Sequence, residues 1–141
     1  NGPAVDVQGK YAAVAWFTGV QDTSKVQVLR KDLISGEASQ PLHIDEGNPI
    51  GRVQIAWLDE QRAVAAWVEL LETQEAALKV AHIDFARRAV CKMNVSRFEA
   101  GRRSGFPSMR VVNGEALLVW TDWLQDQDNC RLSMARVRFP E

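Results

Sequence analysis

The side chains of this 141-residue chain that could hold a ligand are carboxylates, arginines and a tryptophan. Thr18, Glu69 and Asp122 each stand two positions after a tryptophan, at Trp16, Trp67 and Trp120, with Asp45 and Glu46 as further carboxylates. Two carboxylates brought together can divide general acid and general base work between them. Arg52 and Arg103, with Arg102 beside the latter, supply guanidinium groups that bind a carboxylate through paired hydrogen bonds. Trp123 supplies an indole on which a sugar ring can stack. This set suits an acidic glycan; the plainer alternative is polar residues meeting water where buried strands end.

Other chemistries lack the residues they need. His43 and His82 have no Ser or Cys at a recognisable motif spacing, and both are expected at the surface. Cys91 and Cys130 lie 39 residues apart with neither a Cys-x-x-Cys nor a His pair, which excludes a zinc or redox motif by spacing. Two small buried or half-buried thiols fit them, and so does a disulfide. No glycine-rich loop follows a strand and opens a helix, so no phosphate cradle, metal or cofactor is expected. Seventeen Lys and Arg against eighteen Asp and Glu leave a net charge of −1, without the basic footprint of a nucleic-acid binder. The longest apolar runs are about six residues, against the roughly 20 needed to span a bilayer, so no membrane span is expected. No basic start leads into an apolar stretch, so any export signal is expected outside this chain.

The elements that position these residues come from an internal repeat. The tryptophans at 16, 67 and 120 are spaced by 51 and 53 residues, and each ends a small apolar run. Val26, Leu78 and Leu132 share one downstream column, Val28, Val80 and Met134 the next on that face, and Arg30, His82 and Arg136 the polar position after it. Gly2, Gly51 and Gly105 precede the tryptophans by 14, 16 and 15 residues, and Asn113-Gly114 is a strong hairpin signal. Each unit reads as strand, tight turn, strand, turn, strand, then a fourth strand near Gln40 to Asp45 in the first copy and Val90 to Ser96 in the second. Four antiparallel strands per repeat of about 50 residues predict an all-β chain built from β-propeller blades. The blades span about 1–47, 48–101 and 102–141, the third lacking its outer strand. Residues 61–86 have the propensity for an amphipathic helix, but the same register holds Ala-Val-Ala-Trp-Phe and Leu-Leu-Val-Trp-Thr in the other copies, which argues for strands. In such a meander Arg52, Thr18, Glu69, Asp122, Trp123 and Arg103 gather at one rim, and Tyr11 falls on the opposite one.

The segments Asn1-Gly2-Pro3-Ala4-Val5 with Val14-Ala15-Trp16-Phe17-Thr18, Gly51-Arg52-Val53 with Ala66-Trp67-Val68-Glu69, and Ser104-Gly105-Phe106-Pro107 with Val119-Trp120-Thr121-Asp122 resemble bacterial sialidase-like propellers of the exo-α-sialidase or BNR-repeat type. The family's Asp box, Ser-x-Asp-x-Gly-x-Thr-Trp, survives only as Asp32 with Gly36 and as Asp84. Three blades leave two apolar flanks bare, and a six-bladed ring, of which this chain is expected to be the C-terminal half, is the simplest completion; the resemblance implies a periplasmic or extracellular setting. Its bare blade flanks imply partners: the remaining blades of a longer polypeptide or a second identical chain. Sialidases use three arginines around the substrate carboxylate, a Tyr nucleophile paired with a Glu, and an Asp acid. Here Arg52 and Arg103 match two arginines at most and Tyr11 is on the wrong rim, so no complete catalytic site is expected. The expected function is therefore binding of a glycan or protein on one rim. The alternative is a sialidase-type glycoside hydrolase completed by blades outside this chain.

Overall fold

The computed structural model describes residues 2–101, 105–124 and 127–140, which form eleven strands in three antiparallel sheets with no helix among them. The first sheet runs in chain order through β1 (Ala4–Gln8), β2 (Tyr11–Val20), β3 (Thr23–Asp32) and β4 (Leu42–His43). The second, central sheet runs likewise through β5 (Pro49–Trp57), β6 (Arg62–Leu70), β7 (Glu75–Asp84) and β8 (Ala89–Glu99). The third contains β9 (Ser108–Val112), β10 (Glu115–Leu124) and β11 (Asn129–Arg138). Among the described residues no helix is long and apolar enough to cross a membrane.

Turn chemistry sets the registers. Asn113 and Gly114 both take positive φ, 52° and 76°, in the two-residue turn that pairs Val112 with Glu115, as the dipeptide predicts. Gln21 and Asp22, at 53° and 64°, make the corresponding turn between β2 and β3. The helix-prone stretch 61–86 folds as β6 and β7, because packing on both sides outweighs propensity: Ala63 to Val68 are all buried.

Side chains alternate across each strand, and the sheets stack face to face into two cores. Ala13, Ala15, Val26 and Val28 of the first sheet meet Ala65 and Trp67 of the central sheet. Val64, Ala66 and Leu78 on its other face meet Leu118 and Trp120 of the third. Alanine at the contact positions lets neighbouring backbones approach closely. The first strands of the three sheets lie side by side and enclose a concavity of about 850 Å³, lined by residues that include Ala4, Asp6, Arg52, Gln54, Phe106 and Arg110.

The fourth strands depart from their expected lengths. β8 runs from Ala89 to Glu99, longer than the Val90 to Ser96 expected, and is bulged where β7 passes from Leu78 to Lys79. β4 shrinks to Leu42 and His43, within the predicted Gln40 to Asp45. The cause is Asp45, whose Oδ1 accepts the Val26 amide at 2.6 Å in place of the carbonyl a longer strand would offer.

Candidate functional site

The candidate carboxylates are anchored within the sheet stack. Side chains two residues apart on a strand share a face, so Trp67 and Glu69 stand side by side. The Trp67 indole Nε1 donates to Glu69 Oε1 at 2.7 Å, and the Glu46 amide donates to the same oxygen at 2.7 Å. Lys79, directly across from Trp67 in the β6–β7 register, places Nζ 2.7 Å from Glu46 Oε2 and 3.7 Å from Glu69 Oε2. The hydrogen bond and positive charge of Lys79 hold the Glu46 carboxyl below its ordinary range. The third sheet repeats the arrangement: Trp120 Nε1 donates to Asp122 Oδ1 at 3.2 Å, and Ser133 Oγ to Asp122 Oδ2 at 2.6 Å. Arg131 Nη2 completes it at 3.3 Å from the same Oδ2. Glu69 and Asp122 are both buried.

These residues share one end of the stack but not one gap. Glu69 lies with Trp67 between the first and central sheets, and Asp122 with Trp120 between the central and third. Thr18 follows Trp16 on the outer face of the first sheet, half-buried. Trp123 lies within β10, not beyond its end as expected, on the outer face of the third sheet opposite Cys130. Arg103 and Arg102 fall outside the described residues. Asp45 is likewise internal, accepting from the Val26 and Gly47 amides and lying 2.6 Å from His43 Nε2.

Arg52 is placed by a backbone irregularity. Gly51 and Arg52 take positive φ, 94° and 57°, where the pairing of β5 with β6 shifts register. From there the guanidinium reaches the segments bounding the third sheet. Nη1 donates to the Gly105 carbonyl at 3.2 Å, Nη2 to the Gly101 carbonyl at 3.0 Å, and the group lies 4.1 Å from the Phe106 ring centroid. Burial lowers its pKa. Gly105 must be glycine: its φ is 70°, and a Cβ there would come within 2.2 Å of the Phe98 ring.

Arg52, Arg110, Phe106 and Gln54 line the concavity between the first strands. Two guanidinium groups, an aromatic ring and an amide are the groups that hold and orient an acidic sugar. Arg110, missed in the sequence, is exposed and donates from Nη1 to the Met109 carbonyl at 2.8 Å. The signal available for it was strand alternation beside Met109, whose side chain enters the core.

Four further residues complete the placement. Tyr11 lies at the end of β2 away from Thr18, beneath the Arg30 guanidinium at 4.5 Å. His82 is half-buried rather than fully at the surface: its Nε2 is buried without a hydrogen-bond partner, its ring lies 5.3 Å from that of Phe139, and burial lowers its pKa. The side of β7 that carries His82 faces the third sheet. Cys91 and Cys130 are free and exposed rather than half-buried, because each sits on a strand face or edge that no neighbouring sheet covers. No protein-family model matches the sequence, and no curated protein matches it.

Proposed function

We propose that the chain is a three-blade segment of a sialidase-like β-propeller that binds an acidic glycan at the concavity along its first strands and does not hydrolyse it. Successive antiparallel sheets, stacked in chain order with their first strands adjacent, support the propeller reading. The observation that carries the ligand assignment is the presence of Arg52, Arg110 and Phe106 in one concavity. A guanidinium desolvated against an aromatic ring attracts an anion more strongly than one in bulk water.

The positions of the carboxylates support a reading without turnover. Glycoside hydrolysis by a carboxyl pair needs the two groups roughly 5–10 Å apart across one scissile bond. Glu69 and Asp122 lie on opposite sides of the central sheet, each taken up by an indole donor. Tyr11, the one tyrosine, stands at the other end of β2.

Titration with sialic-acid-terminated lactose, with unmodified lactose as control, tests the reading. The expected result is binding of the acidic sugar alone, weakened about tenfold or more by Arg110→Ala, equivalent to about 1.4 kcal/mol. A fluorogenic sialoside should release no fluorophore. Equal affinity for both sugars would overturn the ligand class. Turnover abolished by Arg52→Ala would replace binding with an exo-α-sialidase-type hydrolase.

A further inference from the structure

We infer that the two outer faces of the stack are the two halves of one interface, and that they meet in a second copy of this chain, head to tail, to close a ring of six sheets. The pairing of faces rests on the stacking geometry alone; the closed ring also rests on the propeller reading above.

The chain builds the same contact twice. The tryptophan-bearing face of the central sheet packs on the first sheet, and the tryptophan-bearing face of the third packs on the central sheet. This rule leaves two faces over: the Trp16 face of the first sheet, and the face of the third sheet that carries Leu132 and Met134. Both carry core residues in core columns. Val5 pairs with the residue two before Trp16, as Ile55 does for Trp67 and Met109 for Trp120. Ile55 and Met109 are 7% and 2% exposed, whereas Val5 is 63% exposed. Leu132 and Met134 pair with the residues flanking Trp120, as Val26 and Val28 do for Trp16 and Leu78 and Val80 for Trp67. Those three valines and one leucine are fully buried, whereas Leu132 and Met134 are 69% and 63% exposed.

Each bare face therefore has the composition of an internal interface and lacks only the opposite half, which the same chain presents at its other side. Pairing two Trp16 faces would create a contact of a kind the chain builds nowhere. Two copies joined head to tail satisfy all four faces and give six sheets, within the range of about four to eight blades; three copies would give nine, outside it.

Sedimentation of the chain at tens of micromolar tests the inference. The expected species has twice the 15.8 kDa chain mass. Val5→Glu with Val7→Glu on one face, or Leu132→Lys with Met134→Lys on the other, should each give a folded monomer. An equimolar mixture of the two double variants should dimerise again, because it retains one unaltered interface. If either charged variant loses its folded circular dichroism spectrum, alanine at the same positions replaces it, read as a tenfold or larger rise in the dissociation constant. A monomeric wild-type chain would overturn the inference and make a sheet of another polypeptide the occupant. A dimer that survives either double variant, or a mixture that stays monomeric, would overturn the head-to-tail pairing. None of these outcomes depends on glycan binding.

Discussion

The first and central sheets carry the same tryptophan in the same register and use it differently. Trp67 is fully buried, with its indole N–H bound to a buried carboxylate that also accepts a backbone amide from the loop before β5. Trp16 is half-buried on an outer face and is followed two residues later by Thr18 rather than an acid. An acid after the tryptophan thus accompanies the presence of a preceding sheet to pack on, since Trp120 and Asp122 repeat the arrangement of Trp67 and Glu69. The carboxylate serves the stack: buried donors need an acceptor, and an unmet one costs about 1–3 kcal/mol.

The comparison breaks most decisively at the tryptophans themselves. Trp67→Ala should lower unfolding stability by about 3–5 kcal/mol, as expected for emptying a core site. Trp16→Ala should cost no more than about 1.5 kcal/mol, the low end for burial of an apolar side chain. Denaturant midpoints measured at submicromolar concentration check both, and equal losses would dissolve the distinction between the sheets. A smaller contrast lies at the polar partners. Glu69→Gln should cost about 1–3 kcal/mol through disturbed indole and amide bonds, and Thr18→Val less than about 0.5 kcal/mol.

The smallest effect is pH-dependent. Burial holds His82 below its ordinary pKa of 6.5, so at mildly acidic pH the unfolded chain binds a proton that the folded chain refuses. Stability should therefore fall as pH drops through 6.5 towards the lowered value, then level off with respect to this group. Melting temperatures compared at about pH 7.5 and about pH 5 should show a decrement that His82→Leu removes.

The all-β architecture and its three antiparallel sheets were legible because the repeat of tryptophans and alternating columns outweighs local propensity. Residues 61–86 show this: read alone they favour a helix, and only their alignment with residues 12–17 and 116–121 argues for strands. The end of the stack at which Thr18, Glu69, Asp122 and Arg52 gather was also legible, since it follows from strand order. The gap that each side chain enters was not. Alternation says which residues share a face, but not which sheet covers that face, so Glu69 and Asp122 read as neighbours although a whole sheet separates them. The recurrence of Trp-x-acid was the available sign that these acids pair with indoles. The reach of Arg52 depends on the irregular backbone at Gly51 and Arg52, which residue spacing does not encode.

The third sheet ends on β11, whose ten residues form its outermost described strand and include Arg131, Arg136 and Arg138. Arg131 is held by Asp122, and Glu115 binds both Arg136 and Arg138. An unpaired strand margin is a template for accidental pairing between chains, and charged side chains along the strand oppose such pairing. Lateral pairing of strand margins is thereby discouraged, while association through the apolar flank is not.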